Sequence, residues 1–288
     1  MVVTGPITLY PYFKIENVYD TDTNPDYFEV RNGGVCIKGD YRHTLAGKVT
    51  IPDMPGAYYI SDFQHAENIT HIFFRRESDK YSSIGSYAFN ECIGIEKVVL
   101  PSSVTTISNR AFRLNFSLKS INLDNIIHIQ DGAFAGSSDP LKLELNSLPS
   151  GLQTLGAEAF YNAGAGVKIT KIPDAVTEIG RAAFEYCQNV KIAEFGTNDG
   201  SGSQLTTIGE RAFANTGNST AGAPLASIYF KESISYIGSN AFENCASKAL
   251  KNVYFRKTEN DYNTTFAGMG FMTLTVANGG ITENYMGQ

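Results

Sequence analysis

The segment Ile84-Gly85-Ser86-Tyr87-Ala88-Phe89 returns as Ile107-Ser108-Asn109-Arg110-Ala111-Phe112 and again as Ile129-Gln130-Asp131-Gly132-Ala133-Phe134. Further copies end at Phe160, Phe184, Phe213 and Phe242, so that successive Phe residues lie 23, 22, 26, 24, 29 and 29 positions apart. Self-similarity at a period of about 20–50 residues is the mark of a solenoid, in which each repeat buries its apolar face only against its neighbours. Fold and function are therefore read coil by coil.

Between copies the pattern is equally regular. After Phe112 come Leu118, Ile121, Leu123, Ile126 and Ile129, and the preceding coil has Ile95, Val98, Leu100, Val104 and Ile107 in the same order. The spacing Leu-x-x-Ile-x-Leu is a short strand whose period of two sends Ile121 and Leu123 inward and Ser120 and Asn122 outward. Phe is the large core filler of each coil, and the Ala before it lets neighbouring coils approach. Gly follows the Ile at 85, 156, 180, 209 and 238, whereas Ser108 and Gln130 take the same place elsewhere. That mixture argues for close packing at this position rather than a left-handed backbone.

Outward from the regular coils the pattern wears. Phe63-Gln64-His65-Ala66 aligns without a gap under Phe89-Asn90-Glu91-Cys92, bringing Phe74 under Leu100, but the motif before Phe63 is eroded. Upstream, Tyr27–Arg31, the turn Asn32-Gly33-Gly34 and Val35–Lys38 read as a β-hairpin, because Asn-Gly accepts positive φ at both turn positions. Lys48–Ile51 reads as one more strand, stopped by Pro52. The hairpin stands where a solenoid needs a cap. In the first 26 residues, Ile7–Leu9 and Phe13–Ile15 alternate as strands do.

The long intervals come from insertions at 196–204 and 217–224. In the coil after Phe134, either Leu143 and Leu145 or Leu148 supply the inward residues. Phe266, Phe271, Leu274 and Val276 form a worn last coil before a Gly-rich tail. The expected organisation is residues 1–48 as N-terminal strands and hairpin cap, 49–277 as a solenoid of about eight to nine coils, and 278–288 as tail.

The motif Ile-Gly-x-x-Ala-Phe, followed by Cys or a small residue three places on and a Leu-x-x-Ile-x-Leu-Pro strand, resembles the BspA-like, treponemal-type leucine-rich repeats. The resemblance covers about 50–277, and the hairpin at 27–38 looks like the segment that commonly precedes such arrays. It implies an α/β-type solenoid of mostly β content: a right-handed superhelix with a parallel sheet on its concave face and short or irregular convex segments. It also implies an extracellular or cell-surface protein of bacterial type that binds proteins or glycans, some relatives being adhesins. It carries over no catalytic residue.

Bulk properties narrow the partners. A net charge of −6 without any run of Lys or Arg argues against nucleic acid. No window approaches the roughly 18 apolar residues of a membrane helix, so membrane insertion by this segment is not expected. Met1–Pro6 has neither the basic nor the apolar part of a signal peptide, which fits an intracellular protein or a mature or shortened chain with an added Met. A monomer is expected.

Chemistry-bearing residues are sparse. Cys92, Cys187 and Cys245 all lie three residues after a motif Phe, a place taken elsewhere by Ala66, Asn115, Ala163 and Thr216. They read as core thiols, too far apart to bridge, with Cys36 in the cap. His43, His65, His71 and His128 are scattered, and no metal, nucleophile or phosphate-binding motif occurs. No cofactor, metal or catalytic residue is expected, and the chain is read as not an enzyme. Asp20–Asp26 and Asn198–Gly202 carry oxygen ligands suited to calcium but lack a complete loop pattern.

The candidate binding residues are the outward positions of the concave strands. Coil by coil they are His71 and Phe73, Lys97 and Val99, Ser120 and Asn122, Ile169 and Lys171, Ile192 and Glu194, Ser227 and Tyr229, Asn252 and Tyr254. The resulting expectation is a module that recognises a protein or polysaccharide through this face. The alternative is a structural spacer or accessory subunit of a larger surface complex, contacting its neighbours through its termini and insertions.

Overall fold

The computed structural model describes residues 24–75, 79–136, 141–192, 194–195, 202–216, 227–230, 233–243 and 252–255, with the backbone alone at 40, 194, 227–230 and 252–255. The calcium candidate at 198–202 lies outside these residues except for Gly202, and that at 20–26 does so up to Thr23. The strands expected at 7–9 and 13–15 and the worn last coil also lie outside. Among the described residues there is no α-helix, only the 3-10 turns Pro25–Tyr27 and Gly39–Tyr41. Everything else is short strand and turn, wound into stacked coils.

Each coil makes three hydrogen-bonded arcs with the next. The first is the Ile of the repeated motif with the residue before it. Tyr59–Ile60, Ser83–Ile84, Thr106–Ile107, His128–Ile129, Thr154–Leu155, Glu178–Ile179, Thr207–Ile208 and Tyr236–Ile237 pair in parallel, one coil to the next. The segments expected to be short and irregular are short, yet they pair without a break. With the hairpin Phe28–Arg31 and Gly34–Ile37 at one end, whose second strand pairs in parallel with Tyr59–Ile60, they build one ten-stranded sheet. The aliphatic side chain of every such strand is buried.

The second arc is the Phe turn. Phe89, Phe112, Phe134, Phe160 and Phe184 donate their N–H to the carbonyl of the Ala preceding the next Phe at 2.8 Å in each case. Their rings stack almost parallel, with centroids 5.2 Å apart for Phe89–Phe112 and 5.6 Å for Phe160–Phe184. Phe63 and Phe242 extend the column at its ends. The residues two before and two after Phe donate in the same direction, nearly all from a left-handed backbone: Tyr87 and Glu91 both have φ 59°, and Arg110, Leu114, Glu158, Asn162, Ala182, Tyr186, Arg211 and Asn215 follow suit. Left-handed backbone costs an L-residue about 1–2 kcal/mol. Repeated coil after coil, it is offset by the ladder it permits.

The glycine after each motif Ile is there for space. A Cβ on Gly180 would sit 2.4 Å from the backbone of Ala157 and Gly156, and one on Gly238 would lie 2.3 Å from Glu210 N. None of the five has positive φ, so the close-packing reading holds.

The third arc is the Leu strand. Gly47–Ile51, Ile69–Phe74, Lys97–Val98 and Ser120–Ile121 form a four-stranded parallel sheet, and Glu194–Phe195, Ser227–Phe230 and Asn252–Phe255 form a three-stranded one. Between them, among the described residues, only the bridge Leu145↔Val167 carries strand pairing. Here the coil after Phe134 resolves: Leu143 and Leu148 are both buried, while half-buried Leu145 takes the bridge. The first coil is closed by Arg42, which donates to the Gln64 carbonyl at 2.9 Å and pairs with Asp62 at 2.9 Å.

Candidate binding face

The Leu-strand arc places the candidate residues unevenly. Lys48, His71, Lys97 and Ser120 stand in one row across the four-stranded sheet. Lys97 and Ser120 are exposed. His71 is half-buried, its ring stacked on Phe73 at 6.1 Å and its Nδ1 2.9 Å from Thr70 Oγ1. Burial first, and then the charge of Lys48, holds His71 below its ordinary pKa, so the imidazole is kept neutral.

Three candidates do not face solvent. Phe73 is only 6% exposed, as is its ladder partner Thr50, and the His71 ring lies over it. Ile169 and Ile192 are 0% and 3% exposed, so both point into the core. Counting from the motif Phe explains Ile169: it lies nine residues after Phe160, as Val98 does after Phe89 and Ile121 after Phe112, all of them inward. In the next coil Val190, Ile192 and Phe195 are all buried: the strand Glu194–Phe195 comes two residues later after its motif Phe than Lys97–Val98 does, and Phe195 turns edge-on against the Phe213 ring.

Val99 is half-buried, and Asn122 has a structural task. Its amide accepts from Leu100 N at 2.6 Å and donates to Leu100 O at 2.9 Å, continuing the ladder one rung beyond the strand. Lys171 is exposed and pairs with Asp174 at 3.4 Å. At the far end the backbone register aligns Glu194 with Tyr229 and Tyr229 with Tyr254, and Ser227 with Asn252; no side chain is described there.

One set of residues escaped the outward alternation. Lys119, Lys142, Lys168 and Lys191 each follow a buried residue of their strand (Leu118, Leu141, Val167 and Val190), so four successive coils carry a lysine on this arc. The backbone register staggers the row: Lys119 stands beside Leu143, and Lys168 lies one residue past the Leu145↔Val167 bridge. The signal was legible, since the residue pair apolar-Lys recurs with the repeat, but it becomes visible only once the coils are aligned.

The cysteine slot also has a chemical logic. Cys92 Sγ donates to Phe63 O at 3.0 Å and Cys187 Sγ to Phe160 O at 2.9 Å, and Asn115 Nδ2 reaches Phe89 O at 2.7 Å from the same position. In these three coils the slot holds a small donor that satisfies the Phe carbonyl one coil back, whereas Thr216 Oγ1 donates to the Phe213 carbonyl of its own coil at 2.7 Å. Burial pushes both thiols up to about 12, which leaves them protonated and inert. Among the described residues no cluster of His, Cys, Asp or Glu could hold a metal ion.

The other faces are largely self-satisfied. On the ten-stranded sheet, Ser82, Thr206 and Ser235 hydroxyls donate to the carbonyl of the preceding coil at 3.2 Å. On the Phe-turn ridge, Arg211 joins Glu185 and Glu243, and Arg181 joins Glu158.

A repeating Ile-Gly-x-x-Ala-Phe turn stacked on a parallel Leu strand finds its counterpart among protein families. The model of the BspA type leucine-rich repeat region, built on six copies, matches residues 59–191, 126–247 and 200–282. The chain belongs to the BspA-type leucine-rich repeat family. A leucine-rich repeat protein from Bacteroides ovatus shares the fold, with 18% identity over 86% of this chain and 69% of its own, at a TM-score of 0.52. The leucine-rich repeat protein of T. pallidum is similar at 17% identity and a TM-score of 0.50, covering 78% of this chain and 90% of that one. No curated protein matches the sequence. Among the described residues no helix is long and apolar enough to cross a membrane.

Proposed function

We propose that this BspA-type array is a non-catalytic binding module of a cell surface or secreted protein, and that it recognises its ligand through the Leu-strand face. The observation that carries the reading is how the three arcs divide the residues. The side chains that recur in every coil are buried or bonded to the next coil, so they are scaffold. Exposed side chains on the Leu strands change from coil to coil and are held in place by the scaffold. Solenoids offer such faces to ligands. Family membership supports the binding role.

Site-directed blocking tests the face without assuming the ligand. In a Cys245→Ser background, Ser120→Cys places a single reactive thiol on the Leu-strand face and Thr154→Cys places one on the ten-stranded sheet, while Cys36, Cys92 and Cys187 stay buried. Each variant is coupled to a polyethylene glycol maleimide and applied to an array of neutral and acidic glycans and purified mucin. Capture that is lost on blocking Ser120→Cys and kept on blocking Thr154→Cys is the expected result. The opposite pattern, or no capture by the unmodified chain, overturns the reading.

A further inference from the structure

The lysines of this chain are not spread evenly. The Leu-strand arc from Gly47 to Ile192 carries seven of them, all exposed except half-buried Lys191, although the whole chain is acidic at −6. Acids on the same strands are few: Glu96, which Lys119 holds at 2.9 Å, and Glu144. Asp53, Asp124 and Asp174 lie in the segments that leave the strands, Asp174 paired with Lys171. Lys97, Lys142 and Lys168 form no ion pair among the described residues. The ladder fixes a staggered row: Glu144 N–H donates to Lys119 O, Lys168 N–H to Leu145 O and Lys191 N–H to Ile169 O, so Lys119 stands beside Leu143 while Lys168 and Lys191 lie further along their strands.

We infer that the Leu-strand face binds a linear acidic polysaccharide, whose anionic groups meet lysines presented by successive coils. The inference rests on the proposed use of this face and names the ligand class. Coils repeat at the spacing of neighbouring strands, about 4.8 Å, so the staggered row from Lys97 to Lys191 offers a cation on every coil along the face. A polymer with repeated carboxylates or sulfates complements such a face. A protein hot spot is instead built around buried Trp, Tyr or Arg anchors, and the strands between Ile95 and Ile192 hold no arginine and no aromatic residue. Single-stranded nucleic acid also needs aromatic platforms for its bases, which these strands lack. Lysine is a point charge on a flexible stem, suited to anions whose orientation varies along a chain.

The test uses the whole chain and immobilised heparin, polygalacturonate, neutral dextran and oligothymidylate. Expected is capture of heparin, or of heparin and polygalacturonate, weakening steeply with added salt as exposed charges are screened, with no capture of dextran. Heparin alone would assign sulfate as the recognised group, and both would assign any anionic sugar. Lys97→Gln, Lys142→Gln and Lys168→Gln together remove three exposed contacts, each contributing up to about fivefold, so affinity falls roughly tenfold or more. Lys38→Gln with Lys80→Gln lowers the charge away from the row and leaves capture unchanged. Melting temperatures equal to that of the parent exclude misfolding as the cause. Undiminished capture by the triple variant, an equal loss in the Lys38/Lys80 variant, or capture of oligothymidylate as strong as that of heparin overturns the inference. If blocking Ser120→Cys abolishes capture of a neutral glycan while heparin is never bound, the face stands and the acidic ligand falls.

Discussion

The arc from the motif Ile to the Phe turn and the arc of the Leu strand share one repeat, but they differ in what they tolerate. On the first, ten strands pair without a gap and each Phe N–H finds the same carbonyl one coil on. On the second, among the described residues, strand pairing narrows to the bridge between Leu145 and Val167 before a second sheet begins, with isolated backbone bonds linking the remaining coils. In the sequence, the insertions at 196–204 and 217–224 follow and precede strands of that second sheet. The tightly tied arc stays uniform in the described coils, and its residues are chosen by the next coil, whereas those on the loose arc are less constrained by it.

The largest effect should come from breaking the tight arc at its centre. Phe134 lies between Phe112 and Phe160 at centroid distances of 5.5 and 5.3 Å and is fully buried. Phe134→Ala should cost about 3–5 kcal/mol through the cavity it leaves. Urea denaturation measures it, and a cost under about 1 kcal/mol would mean that the stack does not hold the coils together. Next is Gly180→Ala, whose new Cβ would meet backbone atoms at 2.4 Å. Backbone cannot swing aside as a side chain can, so a loss of about 1–3 kcal/mol is expected. Gly151→Ala, with nothing within 4 Å of the added carbon, should leave stability nearly unchanged.

How much of this was legible depends on which arc is read. Ile, Ala and Phe at fixed spacing disclosed the solenoid, and the Gly/Ser/Gln mixture after Ile disclosed close packing. The left-handed residues flanking each Phe were not legible, because Tyr87, Arg110, Leu114 and Ala182 are not types that favour positive φ. Only the ladder between coils imposes it. The continuity of the ten-stranded sheet was hidden for a related reason: a two-residue strand such as Thr106–Ile107 has no alternation to detect. On the loose arc, Ile169 and Ile192 were misplaced because a tract such as Val167–Ile172 holds two overlapping apolar sets, and packing alone selects one.

A third prediction tests the donor slot of the tight arc through pH. Cys92 and Cys187 are raised from 9.0 to about 12 by burial. A folded-state pKa above the unfolded one gives stability that is complete below pH 9 and is lost as pH rises towards 12, since only the unfolded chain releases the proton in that window. At pH 10 the unfolded chain gains about 1.4 kcal/mol from each thiol. Cys92→Ala with Cys187→Ala should flatten this alkaline limb in melting experiments between pH 8 and 11. A limb as steep as in the parent would show that the thiols ionise freely in the fold.

The smallest effect is expected on the loose arc, and its sign is informative. Lys142 precedes Leu143, which stands beside Lys119 in the backbone register, and it forms no ion pair among the described residues. Like charges on neighbouring strands repel, at a cost of a few tenths of a kcal/mol. Lys142→Gln should therefore leave the melting temperature unchanged or raise it slightly. The gain should be greatest near 10 mM salt, where screening extends over about 30 Å, and fade by 0.1 M, where it falls to about 10 Å. A destabilisation instead would mean that the lysine stem packs against the strand beneath it, making Lys142 part of the scaffold. Stability that rises while polyanion capture falls would mark the row as a feature kept for binding at a small expense of the fold, which is the converse of what Phe134 and Gly180 do on the opposite arc.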